Sequence, residues 1–141
     1  LSGHIFFADK YYGFDDGLYC AIRLMNAASA AAGPASSLTA HLPTLYNTPE
    51  IRFEVDESEK FNIVRRIVQN MKELEGLTLT VDDTDGVRVK TPDGWWLLRA
   101  SNTQNVLVCR AEAKSAEGLE RLQKTLRTEV QKTGYEINFS S

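Results

Sequence analysis

Cysteine is scarce in these 141 residues: there are two, with two methionines and four prolines. Cys20 and Cys109 each stand inside an apolar run. They form no spaced disulfide framework and are expected to be buried free thiols of a cytoplasmic protein. No apolar stretch approaches the ~18 residues a membrane span needs, so no membrane partner is expected. Positive charge is not in excess either. Sixteen Lys and Arg against nineteen Asp and Glu leave a formal net charge of −3, which argues against a nucleic-acid partner, since such domains are ordinarily basic. No glycine-rich strand-to-helix loop is present, which excludes a nucleotide P-loop. The chain opens on Leu-Ser-Gly-His with neither an initiator Met nor a leader segment, and it reads as a piece of something longer.

What is present is ordinary globular composition, 43% hydrophobic and 25% charged. The length allows one full domain and part of another. Ile5-Phe6-Phe7 reads as a short strand. Asp15-Asp16 supply the acidic start of a helix that runs to about Ala32 on the spacing of Leu18, Ile22 and Met25; helix-start acids explain the pair better than a metal site does. Gly33-Pro34-Ala35-Ser36-Ser37 ends that helix and opens a linker over 33–47. A second domain is expected over 48–141.

In that domain Ile51–Val55 alternates as a half-buried strand, with Asp56 and Glu59 offering a cap to the next helix. Phe61, Val64, Ile67, Val68, Met71 and Leu74 trace one helical face. Strands follow at 77–81, 87–90, 95–98 and 106–113, divided by turns at Asp85-Gly86 and Thr91-Pro92-Asp93-Gly94. Ser115 caps a last helix with Leu119, Leu122, Leu126 and Val130 on its apolar face. The order β-α-β-β-β-β-α gives an α+β fold, an antiparallel sheet with both helices on one face.

One loop stands out. Arg99 closes the strand at 95–99, and Ala100-Ser101-Asn102-Thr103 follows it. The arginine stem can pack on Trp95 and Leu97 while the guanidinium extends past the strand end. A planar fork beside hydroxyls, an amide and backbone N–H groups can cradle a phosphate. An ordinary surface hairpin loop, bonded to water and to itself, fits the same residues. Arg110 shares a face with Val106, Val108 and Glu112 and is expected to be solvated. His4 has the side chain suited to proton transfer near neutral pH, and it equally fits an exposed structural position. Trp95-Trp96 must face opposite sides of the sheet.

Taken in order, Leu1-Ser2-Gly3-His4-Ile5-Phe6-Phe7, Tyr12-Gly13-Phe14-Asp15-Asp16-Gly17, Asp85-Gly86-Val87-Arg88-Val89, Gly94-Trp95-Trp96 and Arg99-Ala100-Ser101-Asn102-Thr103 resemble the C-terminal part of the α-D-phosphohexomutases, in the phosphomannomutase/phosphoglucomutase branch. Phosphoglucosamine mutases usually carry Gly at the position of Asn102. The resemblance implies that 1–32 is the tail of a third domain and 48–141 a fourth, TATA-binding-protein-like domain. It also implies a parent enzyme interconverting hexose 1-phosphate and hexose 6-phosphate through a hexose 1,6-bisphosphate. In such enzymes the loop matching Arg99, Ala100, Ser101, Asn102 and Thr103 holds the phosphate that is not transferred. Ser2 faces the sugar, and His4 lies near enough for proton transfer. The phosphoryl-carrying serine and the Mg²⁺ loop belong to domains one and two, so the metal site is expected outside this chain and the fragment alone is expected to be inactive. Its expected partners are a phosphohexose and domains one to three. A stand-alone anion-binding module without catalysis is the alternative. Gln104-Asn105 stand where the family commonly has an acidic or small residue and then Pro, so the loop exit is expected to be less rigid.

Overall fold

The computed structural model describes residues 3–76 and 78–139. Two compact units are present, Leu1–Pro43 and Thr44–Ser141.

In the first unit, Asp16 takes the N-cap of α1 (Gly17–Ala30), its side chain accepting from the Tyr19 N–H at 3.0 Å. That bond satisfies one of the donors a helix start leaves without a partner. Where a strand is expected at 5–7, a single antiparallel bridge joins Phe6 to Asp15. Tyr11 stacks on Tyr19 with centroids 3.8 Å apart. α1 buries none of its residues, and Leu18, Ile22, Leu24 and Met25 stay exposed.

In the second unit, six strands among the described residues form one antiparallel sheet: β1 (Tyr46–Asn47), β2 (Ile51–Glu54), β3 (Thr80–Asp82), β4 (Val87–Lys90), β5 (Gly94–Ala100) and β6 (Val106–Ala113). The order is β1-β6-β5-β4-β3, and β2 also pairs with β6. Tyr46 and Asn47 therefore enter the sheet inside the stretch expected as linker. Thr48 continues the edge, its N–H donating to the Ala111 carbonyl and its Oγ1 accepting the Ala111 N–H. Pro49 then falls at the bend before β2, an edge position that tolerates a residue with no N–H.

The strand expected at 77–81 is β3 at Thr80–Asp82. A turn occupies its start, with the Gly76 N–H donating to the Leu79 carbonyl; Leu77 lies outside the described residues. α2 (Lys60–Glu73) lies over β3, β4 and β5, and α3 (Ala116–Gln131) over β1, β5 and β6. Ser115 caps α3 through the Gly118 N–H at 3.0 Å. Asp56 instead makes a local turn ahead of α2, accepting from the backbone N–H and hydroxyl of Ser58. Glu59, the N-cap of α2, makes no side-chain cap bond.

The core lies between the helices and one sheet face. Register sets Trp96 opposite Val89 and Ala111, and Leu98 opposite Val87 and Cys109. These side chains join Ile63, Ile67, Leu122, Leu126 and Val130. Trp96 is fully buried, so its truncation to Ala is expected to cost about 3–5 kcal/mol. Burial pushes the Cys109 thiol up to about 12, which fits a packing residue rather than a nucleophile.

The opposite face alternates outward along the same strands. Trp95 is half-buried there; its Nε1–H donates to Glu112 at 3.1 Å, and the Arg88 guanidinium sits 4.7 Å over its ring. Arg110 is half-buried rather than solvated, with its Nε enclosed and unpartnered.

Candidate functional site

The loop at 101–105 is fixed by the strands it joins. Ala100 pairs with Leu107 at the end of β5, and the Ser101 N–H donates to the Val106 carbonyl at 3.0 Å. Strand alternation then sorts the side chains. Ala100 faces the core and offers a ligand only backbone, while Arg99 faces the open side and is partly exposed. Asn102 and Thr103 are exposed at the loop tip.

Ser101 organises the bend. Its Oγ accepts the N–H groups of Thr103 and Gln104, at 3.4 and 3.2 Å, a local side-chain turn of the Ser/Thr type. With its lone pairs so engaged, the hydroxyl proton is left to donate outward. The Asn102 amide and the Thr103 hydroxyl have no partner among the described residues. Among the described residues the Arg99 guanidinium makes no hydrogen bond, and its one carboxylate neighbour, Asp85 Oδ2, lies 3.9 Å from Nη1. Four of the five residues 99–103, all but Ala100, thus present uncommitted side-chain donors with no acidic side chain among them, and such a set suits an anion with several oxygens.

The far end of the loop is tied down. The Arg52 Nη1–H donates to the Gln104 Oε1 at 2.9 Å, and the Val55 N–H donates to the Asn105 carbonyl at 3.1 Å. The Lys60 ammonium donates to the Gln104 carbonyl at 3.3 Å. A depression of about 280 Å³ adjoins the loop, lined by Phe61, Val64, Arg65, Asp85, Ala100 and Asn102, among others.

His4 belongs to the other unit. Its Nδ1–H donates to the Asp15 carboxylate, which fixes the tautomer and leaves Nε2 free. The Phe6–Asp15 bridge brings the two together. Sequence reasoning assigned Asp15 to the helix start, but Asp16 alone serves as the cap. Ser2 lies outside the described residues. Lys60 and Arg52 were not singled out from sequence, and Asp85 was read only as part of a turn and of the family resemblance; contacts distant in sequence bring these residues to Arg99 and the loop. Among the described residues no group of three or more His, Cys, Asp or Glu could hold a metal ion. No helix is long and apolar enough to cross a membrane among those residues.

Comparison with known proteins bears on the chain as a whole. Residues 50–129 match the family described as phosphoglucomutase/phosphomannomutase, C-terminal domain. A phosphomannomutase/phosphoglucomutase of Pseudomonas syringae pv. tomato is 39% identical over 138 residues, covering 98% of this chain and 29% of the relative. The Pseudomonas aeruginosa PAO1 protein of the same name is 41% identical over 130 residues, 92% of this chain and 27% of the relative. A crystal structure of a phosphoglucomutase/phosphomannomutase family protein from Burkholderia thailandensis superposes with a TM-score of 0.78 at 33% identity, covering 99% of this chain and 28% of the other. The chain thus spans under a third of the length of these relatives.

Proposed function

The chain belongs to the phosphoglucomutase/phosphomannomutase family, and on that premise we propose that Arg99, Ala100, Ser101, Asn102 and Thr103 bind the non-transferred phosphate of a hexose phosphate. The parent activity is the interconversion of hexose 1-phosphate and hexose 6-phosphate. The observation that carries this reading is the donor set at the β5–β6 loop, with an unbonded guanidinium beside free hydroxyl and amide donors.

The chemistry follows from those donors. Phosphoryl transfer is mainly positioning plus charge stabilisation. Holding the remote phosphate spends binding energy on orienting the reacting end of the sugar. Arg99 supplies paired N–H donors along two phosphate oxygens, and Ser101, Asn102 and Thr103 complete the shell. Recognition of this kind reads charge and oxygens rather than a particular carbon of the sugar. A hexose 1,6-bisphosphate can therefore be held by either end, as the mutase cycle requires. Ser2 is assigned to sugar binding by the family resemblance, and His4, oriented by Asp15, serves proton transfer through its free Nε2. The phosphoryl-carrying serine and the Mg²⁺ site belong to other parts of the parent enzyme, so these 141 residues alone turn over no sugar phosphate.

Titration of the chain with glucose 1-phosphate, following backbone amide shifts, tests the reading. Shifts are expected at Arg99–Thr103 with glucose 1-phosphate and not with phosphate-free glucose. Equal response to the two compounds overturns it.

A further inference from the structure

Lys60 is a buried cation in an unfavourable place. It is 2% exposed and is the first residue of α2, where the helix dipole is positive and an acidic residue would be favoured. Burying an ammonium there is costly unless its protons are bonded. Its bonds lead in two directions, to Glu57 at 3.0 Å, whose side chain is 59% exposed, and to the Gln104 carbonyl at 3.3 Å. Gln104 is the residue whose N–H closes the Ser101 turn, and its side chain is held by Arg52. Helix dipole and lysine thus place positive charge behind the exit of the loop, at the point where the family's usual proline is absent.

We infer that Lys60 is a positioning residue for the anion-binding loop: it pins the Gln104 carbonyl, preorganising the Ser101 bend, and adds buried positive charge behind the bound phosphate. This rests on the phosphate reading of that loop. A lysine serving only as an ion-pair partner of Glu57 makes a different prediction, because losing either partner would then act alike. Under the positioning role the two substitutions have opposite effects on anion affinity. Removing Lys60 takes away attraction and order, whereas removing Glu57 takes away a competing negative charge.

The test uses the full chain, with glucose 1-phosphate as probe and amide hydrogen exchange as second readout. Lys60→Met is expected to weaken binding about tenfold, through lost charge in a partly desolvated setting. It is also expected to speed exchange at the Thr103 and Gln104 amides while protection in α3 is unchanged. Lys60→Arg is expected to restore most of the affinity, and Glu57→Gln to tighten binding roughly twofold, since an exposed charge acts weakly. Wild-type binding with unchanged affinity in Lys60→Met, or loss of affinity in Glu57→Gln, overturns the inference alone. If Lys60→Met does not fold, Glu57→Gln and Lys60→Arg decide it: tightening in the first with retained affinity in the second supports the role, and any other result overturns it. Failure of the wild-type chain to bind glucose 1-phosphate removes the phosphate reading and this inference with it.

Discussion

The Arg99 guanidinium stands 3.9 Å from the Asp85 carboxylate, Nη1 to Oδ2, near enough to be attracted and too far to hydrogen-bond. Both side chains are solvated, at 38% and 75% exposure, and pairs of that kind are worth about 0–1 kcal/mol. Asp85 thus competes weakly for the arginine without consuming its hydrogen-bond donors. On the proposed phosphate reading, an incoming dianion that accepts two short charge-assisted bonds would outcompete it.

That relationship yields the first prediction. Asp85→Asn removes a weak competitor and is expected to tighten binding of inorganic phosphate by up to about fivefold, the equivalent of at most ~1 kcal/mol. The gain should shrink above 0.5 M salt, where exposed charges are screened. Arg99→Ala is expected to weaken binding about tenfold or more, as loss of a charge-assisted contact does. Isothermal titration of the three proteins at two salt concentrations measures both effects. Weaker binding in Asp85→Asn would mean that the carboxylate orients the arginine rather than competing for it.

The second prediction concerns acid. Arg121 donates to both oxygens of Asp93, Nε to Oδ2 at 2.8 Å and Nη2 to Oδ1 at 2.6 Å, tying the β4–β5 turn to α3. The hydrogen-bonded Arg121 fork holds the Asp93 carboxyl below its ordinary 3.8. A depressed carboxyl stabilises the fold above the unfolded value, and that contribution disappears as pH falls through the folded one. The melting temperature of Asp93→Asn should therefore lie below wild type at pH 7 and converge with it as pH falls below the ordinary carboxylate value and through the lowered folded one. A constant difference across that range would assign the loss to packing at the turn instead.

Much of this arrangement was legible before any coordinates, and for identifiable reasons. Helical period gave α2 and α3, and strand alternation put Trp95 and Trp96 on opposite faces as expected, although which of the two entered the core was set by the helices packed on one face. Ser115 capped its helix because the serine sits directly before the apolar repeat. What escaped was set by partners distant in sequence. His4 meets Asp15 across eleven positions and Lys60 meets Gln104 across forty-four, and no local pattern encodes either contact. Tyr46-Asn47 escaped too, since a two-residue strand before a proline carries no readable alternation. Asp85 is the intermediate case. The Asp-Gly turn signal was visible, but only the register of Val87 against Leu98 puts that turn beside Arg99.

The same turn supports the last prediction. Gly86 has φ +85°, and a Cβ built on it would lie 2.3 Å from the Leu98 carbonyl oxygen and 2.6 Å from the Arg99 Cβ. Gly134, with φ +91°, has nothing within 4 Å of such a Cβ. Both alanine variants carry the left-handed backbone strain of roughly 1–2 kcal/mol, but only Gly86→Ala must also move backbone. Its total cost is expected at about 3–5 kcal/mol by urea unfolding, against ~1–2 kcal/mol for Gly134→Ala. The displaced atoms include the Arg99 Cβ, so Gly86→Ala should also weaken phosphate binding in the folded fraction, whereas Gly134→Ala should leave it unchanged. If the two variants lose stability equally, the close approach at the strand tip relaxes freely, and the turn does not fix the arginine.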